Sequence, residues 1–177
     1  MVLCYKKSMI ELLILYAINK REKTIYSIRK DIIELFGTFT TPSIGTIYPA
    51  LQRLLKANAV ALNERMSEGG RKSSYFSMTK TGMNYFKDLF FDSSTTNPSL
   101  FYTQLQSRLG TMGLLTSEEK QKFINEYLKK IEVIQFDIEH KLKDEFLELD
   151  YYQAQLLKRT QKEVASLKEY LKELKVD

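Results

Sequence analysis

The chain has 177 residues, 44% of them hydrophobic, and 27 Lys or Arg against 22 Asp or Glu, a formal net charge of +5. That length holds one domain or two small ones, and no apolar run approaches the roughly 18 residues needed to span a bilayer. A single cysteine, Cys4, excludes an intramolecular disulfide, and a single histidine, His140, offers neither a metal-ligand set nor a nucleophile–base pair.

From the N-terminus, "SMIELLILYAINKREK" places Met9, Leu12, Leu13, Tyr16 and Ala17 at helical spacing, with Ser8 as the N-cap. Glu11 interrupts the apolar stretch and no small-residue cleavage site follows, so the segment reads as a core helix and not as an export signal. "TIYSIRKDIIELFG" repeats the pattern with Ile25, Ile28, Ile32 and Leu35 on one face and Gly37 as the stop. "TTPSIGTIYPALQRLLK" then carries Pro42, Gly45 and Pro49 within a third predicted helix, Pro42 to Asn58, capped by Thr41. Its buried stripe is Ile44, Ile47, Leu51, Leu54 and Leu55. The period changes to near-alternation in "AVALNERMSEGGRKSSYFSMT", which predicts a β-hairpin around Glu68-Gly69-Gly70 with Arg71 and Lys72 at a basic tip. Thr79 caps a further helix, "KTGMNYFKDLFF".

"DSSTTNPS", residues 92–99, reads as a linker. Beyond it lie a short helix broken at Gly110 and Gly113 and then two long ones. The first opens on a capping box at Thr116 or Ser117 and steps through Ile124, Leu128, Ile131, Ile134, Ile138, Leu142 and Phe146. The second steps through Leu156, Thr160, Val164, Leu167, Leu171 and Leu174. A two-helix hairpin cannot cover two stripes of that length, and a second copy of the chain can. Ile131, Ile138, Leu156, Thr160, Val164, Leu167 and Leu171 are therefore the expected dimer contacts.

Charge divides along the same line. Residues 1–91 hold fourteen Lys or Arg against seven Asp or Glu, whereas residues 92–177 hold thirteen against fifteen. A basic front half joined to a mildly acidic back half suits one module that meets a polyanion and another with a different task. The expected fold is mainly α with one β-hairpin: a winged helix-turn-helix over 1–91, followed by a C-terminal antiparallel helical dimerisation domain over 92–177. In such modules the third helix enters the major groove N-terminus first. Thr41, Ser43 and Thr46 set hydroxyls at a helix N-terminus that also attracts phosphate. Gly45 permits close backbone approach, Tyr48 offers a hydroxyl to phosphate, and Arg53 reaches the backbone farther along.

At these residues the chain resembles the PadR family of bacterial winged-helix transcriptional regulators. Ser43, Gly45, Thr46, Ile47, Tyr48, Pro49, Leu51, Arg53 and Leu54 match its Ser/Thr-x-Gly-Thr-Leu-Tyr-Pro-x-Leu-x-Arg-Leu signature. Gly70, Arg71, Lys72, Tyr75, Phe76, Met78, Thr79 and Gly82 match its wing, and Tyr26 and Ile28 match its His-Gly-Tyr-x-Ile segment, with Thr24 and Ile25 in place of His-Gly. The resemblance spans about residues 8–86. It implies a cytoplasmic homodimer that represses from a pseudo-palindromic operator, with half-sites about one helical turn, roughly 34 Å, apart. It places Arg71, Lys72 and Ser73 beside the minor groove or flanking phosphates, with Lys6, Lys7, Tyr26 and Lys80 adding DNA contacts.

Some PadR-like proteins respond to small aromatic or drug-like molecules at the dimer centre. Tyr5, Met9, Phe101 and Met112 are the side chains weighed for such an effector site, against the plainer reading that they fill a core. An adaptor that binds protein through its winged helix is the alternative function. No cofactor is expected, and the sequence holds no Gly-rich phosphate loop, metal-ligand spacing or triad that would mark an enzyme.

Overall fold

Eight buried residues in the C-terminal half of the first helix set the architecture. A computed structural model of the chain describes residues 2–66, 70, 72–92 and 101–176, with side chains from Met9 onward. Helix α1, Val2–Ile18, buries Ile10 through Leu15 together with Ala17 and Ile18. The predicted single stripe is thus a helix apolar nearly all round, as a central helix must be. The helix begins at Val2, so Ser8 lies inside it and does not cap it. Around α1 pack α2, Ile25–Phe36, α3, Ile44–Lys56, α4, Lys80–Phe91, and α5, Phe101–Thr111.

Helix α2 differs from the predicted face at its end. Phe36 is buried and Leu35 is exposed. The ring of Phe36 stands edge-on to Tyr16 at 5.9 Å and fills the space that Gly110 leaves by lacking a Cβ. Ser43, not Thr41, caps α3, and Pro42 precedes the helix instead of opening it. Pro42 is buried, and its carbonyl accepts a hydrogen bond from Arg29 Nε at 3.0 Å. That contact holds the turn extended through Ser43, whose Oγ then accepts from Thr46 N at 3.2 Å.

Strands β1, Val60–Met66, and β2, Lys72–Met78, pair antiparallel with Leu62 opposite Phe76 and Met66 opposite Lys72. Two backbone bonds between Lys23 and Phe76, of 2.9 and 2.8 Å, tether the hairpin to the segment just before α2. Asn58 turns the chain from α3 into β1 in the left-handed region, φ 53°, which Asn tolerates better than most residues. Glu68, Gly69 and Arg71 of the predicted hairpin tip, and 93–99 of the predicted linker, lie outside the described residues.

The chain forms two compact units, Met1–Leu114 and Leu115–Asp177. Helix α5 and the 3-10 turn Met112–Leu114 thus pack with the first unit, because α5 lies against α1 and α2. Arg108 of α5 is buried and reaches the end of α4, donating from Nε to the Phe90 carbonyl at 2.5 Å and from Nη2 to the Asp92 carbonyl at 2.6 Å. The cation meets the negative end of that helix.

The second unit is a pair of helices, α6, Ser117–Lys143, and α7, Tyr151–Glu173. Both begin with capping boxes, Thr116 with Glu119 and Asp150 with Gln153. Helix α6 ends at Lys143 with Asp144 as its C-cap, so Phe146, predicted on its stripe, sits in the connecting loop at 97% exposure. Across the seam, Lys168 binds Gln135 at 3.3 Å and Glu132 at 3.2 Å.

Candidate nucleic-acid interface

The helical period sorts α3 into two faces. Ile47, Ala50, Leu51 and Leu54 are buried, and Gly45, Thr46, Tyr48, Pro49, Gln52 and Lys56 are exposed. The exposed face therefore begins at the N-terminus of the helix, where free N–H groups and the dipole favour an anion. Gly45 is the informative member. Glycine is a poorer helix former than alanine, and nothing among the described residues packs closely enough on Gly45 to ask for it. A Cβ there would meet only Ser43 Oγ, at 3.6 Å, an ordinary contact. Four residues on, Pro49 has no N–H, so the Gly45 carbonyl lacks its usual helical donor. The first turns of α3 thus present backbone, hydroxyls and a tyrosine ring to the outside.

Next to this face, Thr24 caps α2 by accepting from Ser27 N at 3.3 Å, and Tyr26 stands out from the first turn at 72% exposure. Thr24 therefore supplies the helix start at the place where the resembled segment has its His-Gly pair. Lys72 opens β2 in an exposed position and pairs with Glu64 of the opposite strand at 2.7 Å. Ser73 is half-buried opposite Arg65, whose guanidinium lies 5.3 Å from the Tyr75 ring centre and pairs with Glu22. Lys80 is exposed at the first turn of α4.

Residues 14–88 match the model of the Transcriptional regulator PadR-like family. Over these residues the chain is similar to the PadR-like family. The matched span covers α2, α3, the hairpin and most of α4, the same elements that carry the geometry above. No curated protein matches the sequence. Among solved structures, a PadR family transcription regulator from hypervirulent Clostridium difficile is 26% identical over 44% of this chain and 79% of its own, with a TM-score of 0.39. Bacillus subtilis PadR in complex with operator DNA is 16% identical over 92% and 95%, with a TM-score of 0.43. The same protein in complex with p-coumaric acid is 18% identical over 94% and 93%, with a TM-score of 0.39.

The first unit brings Thr41, Ser43, Gly45, Thr46 and Tyr48 together at the start of α3. Arg53 is placed differently from the rest. Its Nε is 2.5 Å from Oε1 of buried Glu11, and Tyr85 donates to the other oxygen of that carboxylate at 3.2 Å. The side chains of Lys6 and Lys7, and Arg71 altogether, lie outside the described residues, as does the side chain of Tyr5. Met9, Phe101 and Met112 are half-buried. Gln52 and Lys56 were missed by the sequence reading, although they follow Gly45 by two and three helical turns on the same face.

In the second unit, Ile131, Ile138, Val164 and Leu171 are buried along the α6–α7 seam. Thr160 and Leu167 are half-buried, and Leu156 is exposed. Val133 and Phe136 face away from that seam, and both are exposed. Among the described residues, no helix is long and apolar enough to cross a membrane.

Proposed function

We propose that the chain is a homodimeric, sequence-specific DNA-binding regulator, a repressor on a pseudo-palindromic operator that a small aromatic molecule releases. The observation that carries this reading is Gly45, an exposed helix glycine with ample room for a methyl group. Its cost to the helix is explained by a partner that must approach the backbone, and the surrounding hydroxyls, Tyr48 and Gln52 suit phosphate and base edges. Lys72, Ser73 and Arg71 of the hairpin contact the flanking backbone, joined by Tyr26 and Lys80 and by Lys6 and Lys7. Such a protein works in the cytoplasm of its host.

The second unit supplies the dimer. Val133 and Phe136 leave an apolar strip on the outer face of α6 that a second copy would cover. The seam residues Ile131, Ile138, Val164 and Leu171 hold each hairpin in shape, while Leu156, Thr160 and Leu167 flank it.

Selection from random duplexes tests the reading. The expected product is an inverted repeat with half-sites about one helical turn apart. Affinity for it should fall steeply with salt, and both G45A and K72A should weaken it while the protein stays folded. p-Coumaric acid, the ligand of the Bacillus subtilis structure, is the first probe for release. A protein that sediments as one subunit and enriches no duplex would overturn the proposal.

A further inference from the structure

Glu11 is the one acidic residue of α1, and it is 4% exposed in the most apolar stretch of the chain. A carboxylate in that position is costly unless it is paired and hydrogen-bonded. Both of its oxygens are used. Oε1 accepts from Arg53 Nε at 2.5 Å, and Oε2 accepts from the Tyr85 hydroxyl at 3.2 Å. Arg53 belongs to α3 and Tyr85 to α4, so one carboxylate ties the recognition helix and the helix after the hairpin to the central helix.

The apolar face of α3 fixes which side is buried but sets rotation and slide only loosely, because such contacts are non-directional. An ion pair with a fixed N–H direction is different in kind. Arg53 lies seven residues, two turns, after Thr46 on the same flank of the helix. Whatever fixes Arg53 therefore fixes the angle at which the start of α3 is presented. Burial, followed by the Glu11 charge, pushes the Tyr85 phenol up, which keeps it a donor to that carboxylate across the neutral range.

We propose that Glu11 is a positioning residue for α3, acting through Arg53, and that Arg53 serves DNA binding through this buried contact and not through a phosphate. The proposal rests on the reading that α3 enters DNA.

The test is a salt series on the selected duplex and on a scrambled duplex of equal length, for wild type, E11Q, R53M, Y85F and E11Q/R53M, with melting curves for each. A positioning role predicts about tenfold weaker binding in E11Q and R53M and a narrower ratio between the two duplexes. It also predicts an unchanged slope of log affinity against log salt, and a double variant no worse than the poorer single one. A phosphate-binding Arg53 would lower that slope by about 0.9 in R53M and would add its loss to that of E11Q, which overturns the proposal. E11Q with wild-type affinity and discrimination overturns it as well. Should R53M fail to fold with its partner charge left buried, E11Q/R53M lacks that charge and still reports the slope. A wild-type protein that binds no duplex removes the DNA reading itself, and this role with it.

Discussion

The Cα of Gly82 lies so close to the Ala59 carbonyl that an added Cβ would overlap the oxygen. The first turn of α4 is docked there on the corner between α3 and β1, and Thr79 closes the contact by donating to the Asn58 carbonyl at 2.7 Å. G82A must therefore push two backbones apart, and it should cost about 1–3 kcal/mol. Thermal or urea unfolding of the variant checks this.

Gly45 is the opposite case, and the pair separates packing from function. With only Ser43 Oγ near the new methyl group, G45A should leave stability unchanged or raise it by roughly 0.4–1 kcal/mol. The same substitution should weaken duplex binding. A G45A protein that is less stable and binds DNA as well as wild type would show that the glycine serves the fold.

The cluster of Glu11, Arg53 and Tyr85 also predicts an alkaline signature. The Tyr85 phenol is raised above its ordinary value of 10.0, by burial first and then by the Glu11 charge and hydrogen bond. Above about pH 10 an unfolded phenol ionises while the folded one holds its proton, so unfolding releases a proton there. The stabilisation is complete below that pH and is lost as pH rises through the folded pKa. Melting temperature should thus decline more steeply with alkali in wild type than in Y85F, whereas both should behave alike between neutrality and pH 9.

Much of this was legible because helices bury one face in four- and three-residue steps. The elements and their order follow from spacing, and residue type at the helix starts gives the Thr79 cap and narrows the other to Thr116 or Ser117, of which Thr116 is the one used. What failed did so for identifiable reasons. "TTPS" offers several hydroxyl caps, and the choice of Ser43 depends on Arg29 holding the Pro42 carbonyl. Phe36 displaces Leu35 because Gly110, far along the chain, makes room for its ring. Phe146 fits the period of α6, but Asp150 and Gln153 form a capping box that marks a new helix start, a signal present in the sequence and not used. Arg53 reads as a surface cation because its partner is 42 residues away. Gln52 and Lys56 needed only the period to be carried further along α3.

Arg108 is a second cation that residue type alone would assign to solvent, although the period sets it on the face of Leu105. It is buried, and it binds the Phe90 and Asp92 carbonyls while Nη1 meets Gln104 at 3.4 Å. R108M keeps the stem and removes the bonds to the Phe90 and Asp92 carbonyls, which should cost about 1–3 kcal/mol in all. The loss should appear as lower stability of the first unit and as faster amide exchange in the last turn of α4. The isolated second unit has no such contact.

The two sets of apolar residues on α6 make the proposed dimer separable from the hairpin. Ile131 and Ile138 are buried, and Val133 and Phe136, the latter 72% exposed, lie on the opposite side of the helix. A charge at Ile131 would enter the seam, so I131D should unfold the second unit. A charge at Phe136 enters water in a single subunit, so F136D should leave the helical content intact. If that face meets its copy, each dimer would bury two such charges, and F136D should sediment as a monomer at concentrations where wild type is paired. Weak half-site binding would remain, since one headpiece still meets one groove, but the cooperative gain on the full inverted repeat would be gone. An F136D protein that stays dimeric places the interface on the α7 side, around Leu156 and Tyr170, both exposed.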